Sequence, residues 1–220
     1  MIEFIAPRRL RKNIRHAWTI AGEWLRGVDF TAFEESPPGQ GDRVYPYECS
    51  SPRLLLPMLR RVSPGPSDAF LDIGCGKGYV LSLVSSLFPF ARVDGIEISA
   101  RLCGIARRNL EKLGIRAIVY NIPAEEFGGY DRYSHFYMFN PCAPETIAKI
   151  AGALAASLRR APRQAYLFFS HPEETAPWER LSESTEQIED RVDGYAHRLV
   201  CFRLSPEKAA VWENSERGRA

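Results

Sequence analysis

The chain has no long apolar run, no paired cysteine motif and almost no net charge, and each lack removes a class of protein. No stretch approaches the roughly 20 apolar residues that cross a bilayer, and the N-terminal region lacks the uninterrupted apolar core of a secretory signal, so a cytoplasmic location is expected. The five cysteines, Cys49, Cys75, Cys103, Cys142 and Cys201, are scattered. They form no CxxC pair and have no histidine at metal-ligand spacing, so no metal site is expected and the thiols read as reduced and intracellular. With 29 Lys and Arg against 27 Asp and Glu, the formal net charge is +2. That field is too weak to steer a polyanion, and a nucleic-acid partner would need a local basic patch. No internal repeat or low-complexity tract occurs.

What remains is ordinary globular composition, 45% hydrophobic and 25% charged over 220 residues. One compact domain with an N-terminal appendage is expected. Three segments divide the chain: residues 1–62, a basic helix and a lid or cap; 63–205, the main domain; and 206–220, a C-terminal tail. From Pro7 to Arg26, Leu10, Ile14, Ala17, Trp18, Ala21, Trp24 and Leu25 fall at helical spacing among Arg8, Arg9, Arg11, Lys12 and Arg15. This amphipathic helix reads first as one that packs its aromatic stripe on the main domain. The alternative is an arm for a partner, a membrane or a nucleic acid. Asp29 to Pro52 is rich in Gly, Pro, Ser and acidic residues and reads as a loop or lid. PRLLLPMLRRV, Pro52 to Val62, has the apolar density of a helix interrupted at Pro57, and the breaker SPGPSD ends it.

From there strand and helix patterns alternate. Strands are expected at Ala69–Ile73, Arg92–Ile96, Ala117–Tyr120, His135–Phe139 and Gln164–Ser170, with helices at Tyr79–Phe88, Ala100–Leu113 and Pro144–Leu158. Ile188–Val192 and His197–Leu204 would close the sheet as an antiparallel pair. The order implies an α/β fold: a doubly wound, mostly parallel seven-stranded sheet with helices on both faces.

Two segments carry chemistry. FLDIGCGKGYVL, Phe70 to Leu81, places a buried strand directly before a glycine turn and a helix. Gly74, Gly76 and Gly78 let a ligand lie against the main chain at the sheet edge. Asp72, at the strand end, offers a carboxylate to a cationic amino group. In GIEIS, Gly95 to Ser99, Glu97 ends the second strand about twenty residues further on, where an acidic residue bonds ribose hydroxyls. Alone it would read as an exposed strand-end carboxylate; the joint spacing favours the cofactor role. GCGKGY departs from the GxGxxG that a dinucleotide pyrophosphate requires, and no GxxxxGK[ST] occurs.

DIGCGKG followed by GIEIS resembles the first two motifs of the class I S-adenosylmethionine (SAM)-dependent methyltransferases, which are Rossmann-like. RGVDFTAFEE…YPYECSSPRLL and FYMFNPCAPETI extend the similarity, over residues 27–205, to a bacterial group of small methyltransferases. DIGCGKG and GIEIS are also similar to those elements in the non-SET histone lysine methyltransferases. The resemblance implies S-adenosyl-L-methionine as cofactor, met by Asp72, Gly74, Cys75, Gly76 and Gly78 from the first motif and by Glu97 and Ile98 from the second. The family's third, adenine-binding element has an acidic residue followed by Ala, and VYNIPAEEF departs from it. Asn121, Glu125 or a backbone carbonyl must then meet the adenine amino group; Asn121 is favoured, with Ile122 against the ring, and a plain loop is the alternative.

The fourth strand ends in Phe139-Asn140-Pro141-Cys142, at the sheet edge where a methyl acceptor approaches. The Asn140 carbonyl can orient an amine or amide lone pair for in-line attack, so Asn140 and Pro141 are the catalytic candidates, and Asn140 is also expected among the residues lining the cofactor. The pair resembles the Asn-Pro-Pro-aromatic motif of amide and nucleobase N-methyltransferases, with Cys142 and Ala143 in the last two places. His171, Tyr47 and Tyr45 are reserve candidates for a base or a wall, His171 serving equally well as a sheet cap. Cys142 has no basic partner and is not expected to act as a nucleophile. The expected function is methyl transfer to nitrogen or oxygen of a small molecule or protein side chain. The alternatives are a SAM-binding interaction module without turnover and a nucleic-acid methyltransferase. A nucleic-acid partner is not expected, and oligomeric state is not readable.

Overall fold

A computed structural model of the chain describes residues 22–23, 25–32, 52–139, 142–192 and 195–217. The first long element is α1 (Leu55–Val62), followed by β1 (Ala69–Ile73), α2 (Tyr79–Leu87), β2 (Arg92–Glu97), α3 (Ala100–Lys112) and β3 (Val119–Asn121). Two short 3-10 turns, Ala124–Glu126 and Tyr130–Arg132, lead to β4 (His135–Phe139), α4 (Pro144–Arg160), β5 (Ala165–Ser170) and α5 (Ala176–Leu181). A long hairpin of β6 (Ser182–Val192) and β7 (Tyr195–Leu204) precedes α6 (Pro206–Arg217).

The seven strands form one sheet in the order β3-β2-β1-β4-β5-β7-β6. Strands β1 to β5 pair in parallel, and β7 runs antiparallel to β5 and β6. This is the expected doubly wound α/β sheet. Strand β1 is buried along its whole length because both of its faces are covered, as parallel sheets require. Its period-2 alternation sends Leu71 and Ile73 into a core shared with Ile150 and Leu154 of α4 and with Trp178 of α5, while Phe70 enters a second core with Met58 of α1, Val84 of α2 and Cys103 of α3.

Strand order reverses between β1 and β4, each of which leads into its helix on the opposite face of the sheet. In open α/β sheets that switch point opens a crevice at the carboxyl ends of the strands, and ligands bind there. It falls between the glycine turn after β1 and the segment after Phe139.

The predicted elements stand within a few residues at most ends. The closing pair is longer than expected because β6 begins directly at the end of α5, at Ser182. The segment after residue 205, expected as a tail, forms α6 instead, with Ala209 fully buried and Ser205 accepting from the Lys208 amide at the helix start. Of the basic N-terminal helix, residues 22, 23, 25 and 26 are helical; the rest of it and most of the lid segment lie outside the described residues. No helix among the described residues is long and apolar enough to cross a membrane.

Candidate cofactor and acceptor site

The turn after β1 is built by backbone hydrogen bonds to its neighbour strand. The Gly74 and Cys75 amides both donate to the Ile96 carbonyl oxygen at 2.9 Å, and the Gly78 amide closes the loop on Cys75. Gly74, Gly76 and Gly78 all take positive φ, at 81°, 52° and 82°, a run that side chains bearing Cβ would strain. Gly78 is buried, and a Cβ there would sit 3.3 Å from Ala106 on α3, so its place in the motif also seats α2 against α3. Gly95 on β2 serves close approach: a Cβ at that position would stand 2.6 Å from Cys75 Sγ.

Glu97 ties both motifs together. One carboxylate oxygen accepts from the Gly76 amide at 3.0 Å and the other from the Ser99 amide at 2.8 Å. Ser99 in turn caps α3 by accepting from the Leu102 amide. Burial raises the Glu97 carboxyl above its ordinary value, opposed by these backbone donors. Asp72 is buried on β1 one strand away, and its carboxylate makes no hydrogen bond to a described residue; burial first, then repulsion from Glu97, holds its carboxyl well above the usual range. Two buried carboxylates therefore share the crevice. Such a site favours a cation and disfavours a pyrophosphate.

Asn121 ends β3 in register with Glu97. Its side-chain NH2 donates to the Glu97 carbonyl at 3.0 Å and the Ile98 carbonyl at 2.8 Å. Two carbonyl acceptors fix the amide orientation, which leaves the side-chain oxygen as an acceptor. Ile122, half-buried, packs on the sheet core.

Residues without an assigned role in the motif reading gather at the same loop. Lys77, fully buried, reaches Asp29, and Asn109 on α3 brackets the Asp29 backbone: its amide group donates to the Asp29 carbonyl at 2.7 Å and accepts from the Asp29 amide at 3.0 Å. Asn109 also donates to the Lys77 carbonyl. Phe30 stacks obliquely on Tyr79. The signal was present as VD in RGVDF, but its partner lies 48 residues away, and spacing carries no information over that range.

At the carboxyl end of β5, His171 has φ 49°, an uncommon value for a residue with a side chain. Its ring lies edge-on to Phe139 at 5.4 Å and its Nε2 is 3.2 Å from His197 Nδ1 on β7. The His171 amide donates to the Arg198 carbonyl, and the residue lines a cleft beside Phe139 and His197. Cys142 is buried, its thiol pushed up to about 12 by burial and the nearby Glu125. Such a thiol is a poor nucleophile. Tyr47, Asn140 and Pro141 lie outside the described residues.

Residues 70–161 match the methyltransferase domain family. The chain is 30% identical over 115 residues to protein-L-isoaspartate O-methyltransferase of Aeropyrum pernix, an alignment covering 51% of this chain and 42% of that one. It thus spans less than half the length of this relative. Among solved structures, human methyltransferase 10 domain containing protein superposes with a TM-score of 0.60 at 12% identity, covering 87% of this chain and 97% of that one. An RNA methyltransferase from Salinibacter ruber, in complex with S-adenosyl-L-homocysteine, gives a TM-score of 0.53 at 14% identity, covering 71% of this chain and 93% of that one. Residues 70–161 are thus similar in sequence to methyltransferase domains, and the strand order agrees with the Rossmann-like fold of the methyltransferase structures.

Proposed function

We propose that the protein binds S-adenosylmethionine at the glycine turn and transfers its methyl group to nitrogen or oxygen of an acceptor entering between β4 and β5. The observation that carries this reading is the pair of buried carboxylates, Asp72 and Glu97, around a positive-φ glycine turn at the switch point. Asp72, without a partner among the described residues, would hold the ammonium group of the methionine moiety; Glu97 would accept from ribose hydroxyls; the Asn121 side-chain oxygen would receive the adenine amino group beside Ile122. Gly74 and Gly76 keep the main chain free of side chains along that path, with Cys75 and Ile98 flanking it. Bound SAM supplies an activated sulfonium methyl.

The chain's contribution is alignment and desolvation, with deprotonation for an acceptor that carries a proton. Asn140 and Pro141, directly after β4, would orient the acceptor. The docking of residues 27–32 on the glycine turn supports reading residues 1–62 as a cap on the 63–205 domain.

Isothermal titration with SAM, S-adenosylhomocysteine and NADH tests the reading without a known acceptor. Micromolar binding of both adenosyl ligands and none of NADH is expected. Silence toward both adenosyl ligands would overturn it. Asn140→Ala should spare SAM affinity and lower turnover, separating acceptor alignment from cofactor capture.

A further inference from the structure

The carboxyl edge of β4 and β5 carries a second constellation that cofactor binding does not use. Arg53, before α1, and Arg198, on β7, line one cleft with Phe139, His171, His197 and Asp190. The turn after β5 is fastened to β7 twice: the His171 amide donates to the Arg198 carbonyl at 2.8 Å, and the Arg198 guanidinium donates to the Pro172 carbonyl at 2.6 Å. That double attachment holds His171 at its positive φ and sets its ring against His197. Backbone held in an unfavourable region by surrounding bonds is a feature that clusters at ligand sites.

The charges in this cleft are unequal. Asp190 approaches Arg53 at 3.4 Å, with both side chains about half exposed. Two guanidinium groups and one carboxylate thus line the cleft, beside the hydrogen-bonded imidazole pair. Among the residues lining the cleft, one acidic group does not balance the basic ones. The cofactor crevice has the opposite character, with Asp72 and Glu97 buried at the ends of β1 and β2. A ligand spanning both would be cationic at one end and anionic at the other.

We propose that this cleft, resting on the methyltransferase reading above, is the acceptor subsite and recognises a substrate bearing an anionic group, a phosphate or a carboxylate, held by Arg53 and Arg198 beside the His171–His197 pair. Guanidinium groups suit either anion through paired N–H donors. The anion fixes the acceptor near Phe139, at the carboxyl end of β4.

The test uses the whole protein saturated with S-adenosylhomocysteine. It is titrated with inorganic phosphate and, separately, with succinate, against sodium chloride at matched ionic strength, while the imidazole C–H resonances are followed by NMR. The chain has four histidines, so assignment by single substitutions is direct. Saturable shifts of His171 and His197 but not of the buried His135 are expected, weakened at least fivefold in Arg53→Gln and in Arg198→Gln. Arg198→Gln could disturb the turn; Arg53 lies at the surface, and its variant keeps the result interpretable. No saturable shift with either anion, or unchanged affinity in Arg53→Gln, would overturn the proposal. Calorimetry with S-adenosylhomocysteine, run in parallel, separates the two readings: failure there removes the cofactor assignment, whereas cofactor binding without an anion response removes only the anionic acceptor.

Discussion

Lys77 Nζ donates to both carboxylate oxygens of Asp29, at 2.9 and 2.8 Å, and to the Ala32 carbonyl at 2.8 Å, from a side chain with no solvent exposure. All three ammonium donors are used, which a buried lysine requires. The contact makes the middle of the glycine turn the anchor for the segment at residues 27–32.

Lys77→Met should therefore destabilise the protein. Breaking a fully buried pair costs about 3–5 kcal/mol, but the Asp29 side chain is 43% exposed and regains water, so about 2 kcal/mol is expected. Urea unfolding should show a lower midpoint at unchanged slope. An unchanged midpoint would mean that the 27–32 segment adds nothing to stability. SAM affinity should fall as well, because the same side chain steadies the turn.

Gly95→Ala should destabilise by about 1–3 kcal/mol through overpacking, since its Cβ would meet Cys75 Sγ at 2.6 Å and Cys75 Cβ at 2.7 Å. Both contacts lie on the glycine turn, so SAM affinity should drop with stability. The double variant with Cys75→Ala keeps one of the clashes and should recover little, whereas Cys75→Gly removes both and should restore part of the loss. Thermal unfolding of the three variants ranks them.

These two cases show what can be read from the chain and what cannot. Gly74, Gly76, Asp72 and Glu97 were legible because the strand–turn–helix context spaces them locally, and local spacing survives folding unchanged. The α/β order was legible because covered strands such as Ala69–Ile73 are apolar at every position but Asp72. Lys77 and Asp29 were not, because a pairing across 48 residues depends on how α3 and the turn pack. His197 and Arg198 were hidden for the same reason: only the antiparallel register of β5 with β7 brings them beside His171. The helix after residue 205 was missed because its pattern is mostly polar, and burial at Ala209 decides it.

Glu97→Gln looks conservative and should not be. The carboxylate accepts from two backbone amides, one on each oxygen. An amide side chain offers one oxygen, and its NH2 would face the other backbone donor. Leaving one buried N–H unpaired costs about 1–3 kcal/mol. Loss of at least tenfold in SAM affinity is expected by calorimetry, with a lower unfolding midpoint. Asn121→Asp should fail in the same direction, since it sets a carboxylate against the carbonyl oxygens of Glu97 and Ile98 that the amide now serves.

The pH response of Asp72 gives the sharpest test of its role. Its carboxyl is raised well above the ordinary range, by burial and then by Glu97. The folded protein therefore holds that proton more tightly than the unfolded chain does. The resulting stability is fully present below the unfolded value of about 3.9 and is lost as pH rises through the raised folded value. At neutral pH the ligand-free protein carries a penalty from this buried group, and Asp72→Asn should raise its melting temperature, by less as pH falls toward the ordinary carboxylate range. A bound ammonium group reverses the sign, because it favours the charged carboxylate. SAM affinity of the native protein should then weaken as pH is lowered from neutral toward the ordinary carboxylate range, protons being released on binding. Calorimetry in buffers of different ionisation enthalpy measures that release. Asp72→Asn should bind SAM at least tenfold more weakly at neutral pH and lose the Asp72 part of the proton release. A variant that is more stable yet binds SAM as well as the native chain would show that Asp72 is a buried structural carboxyl and that the ammonium group is held elsewhere.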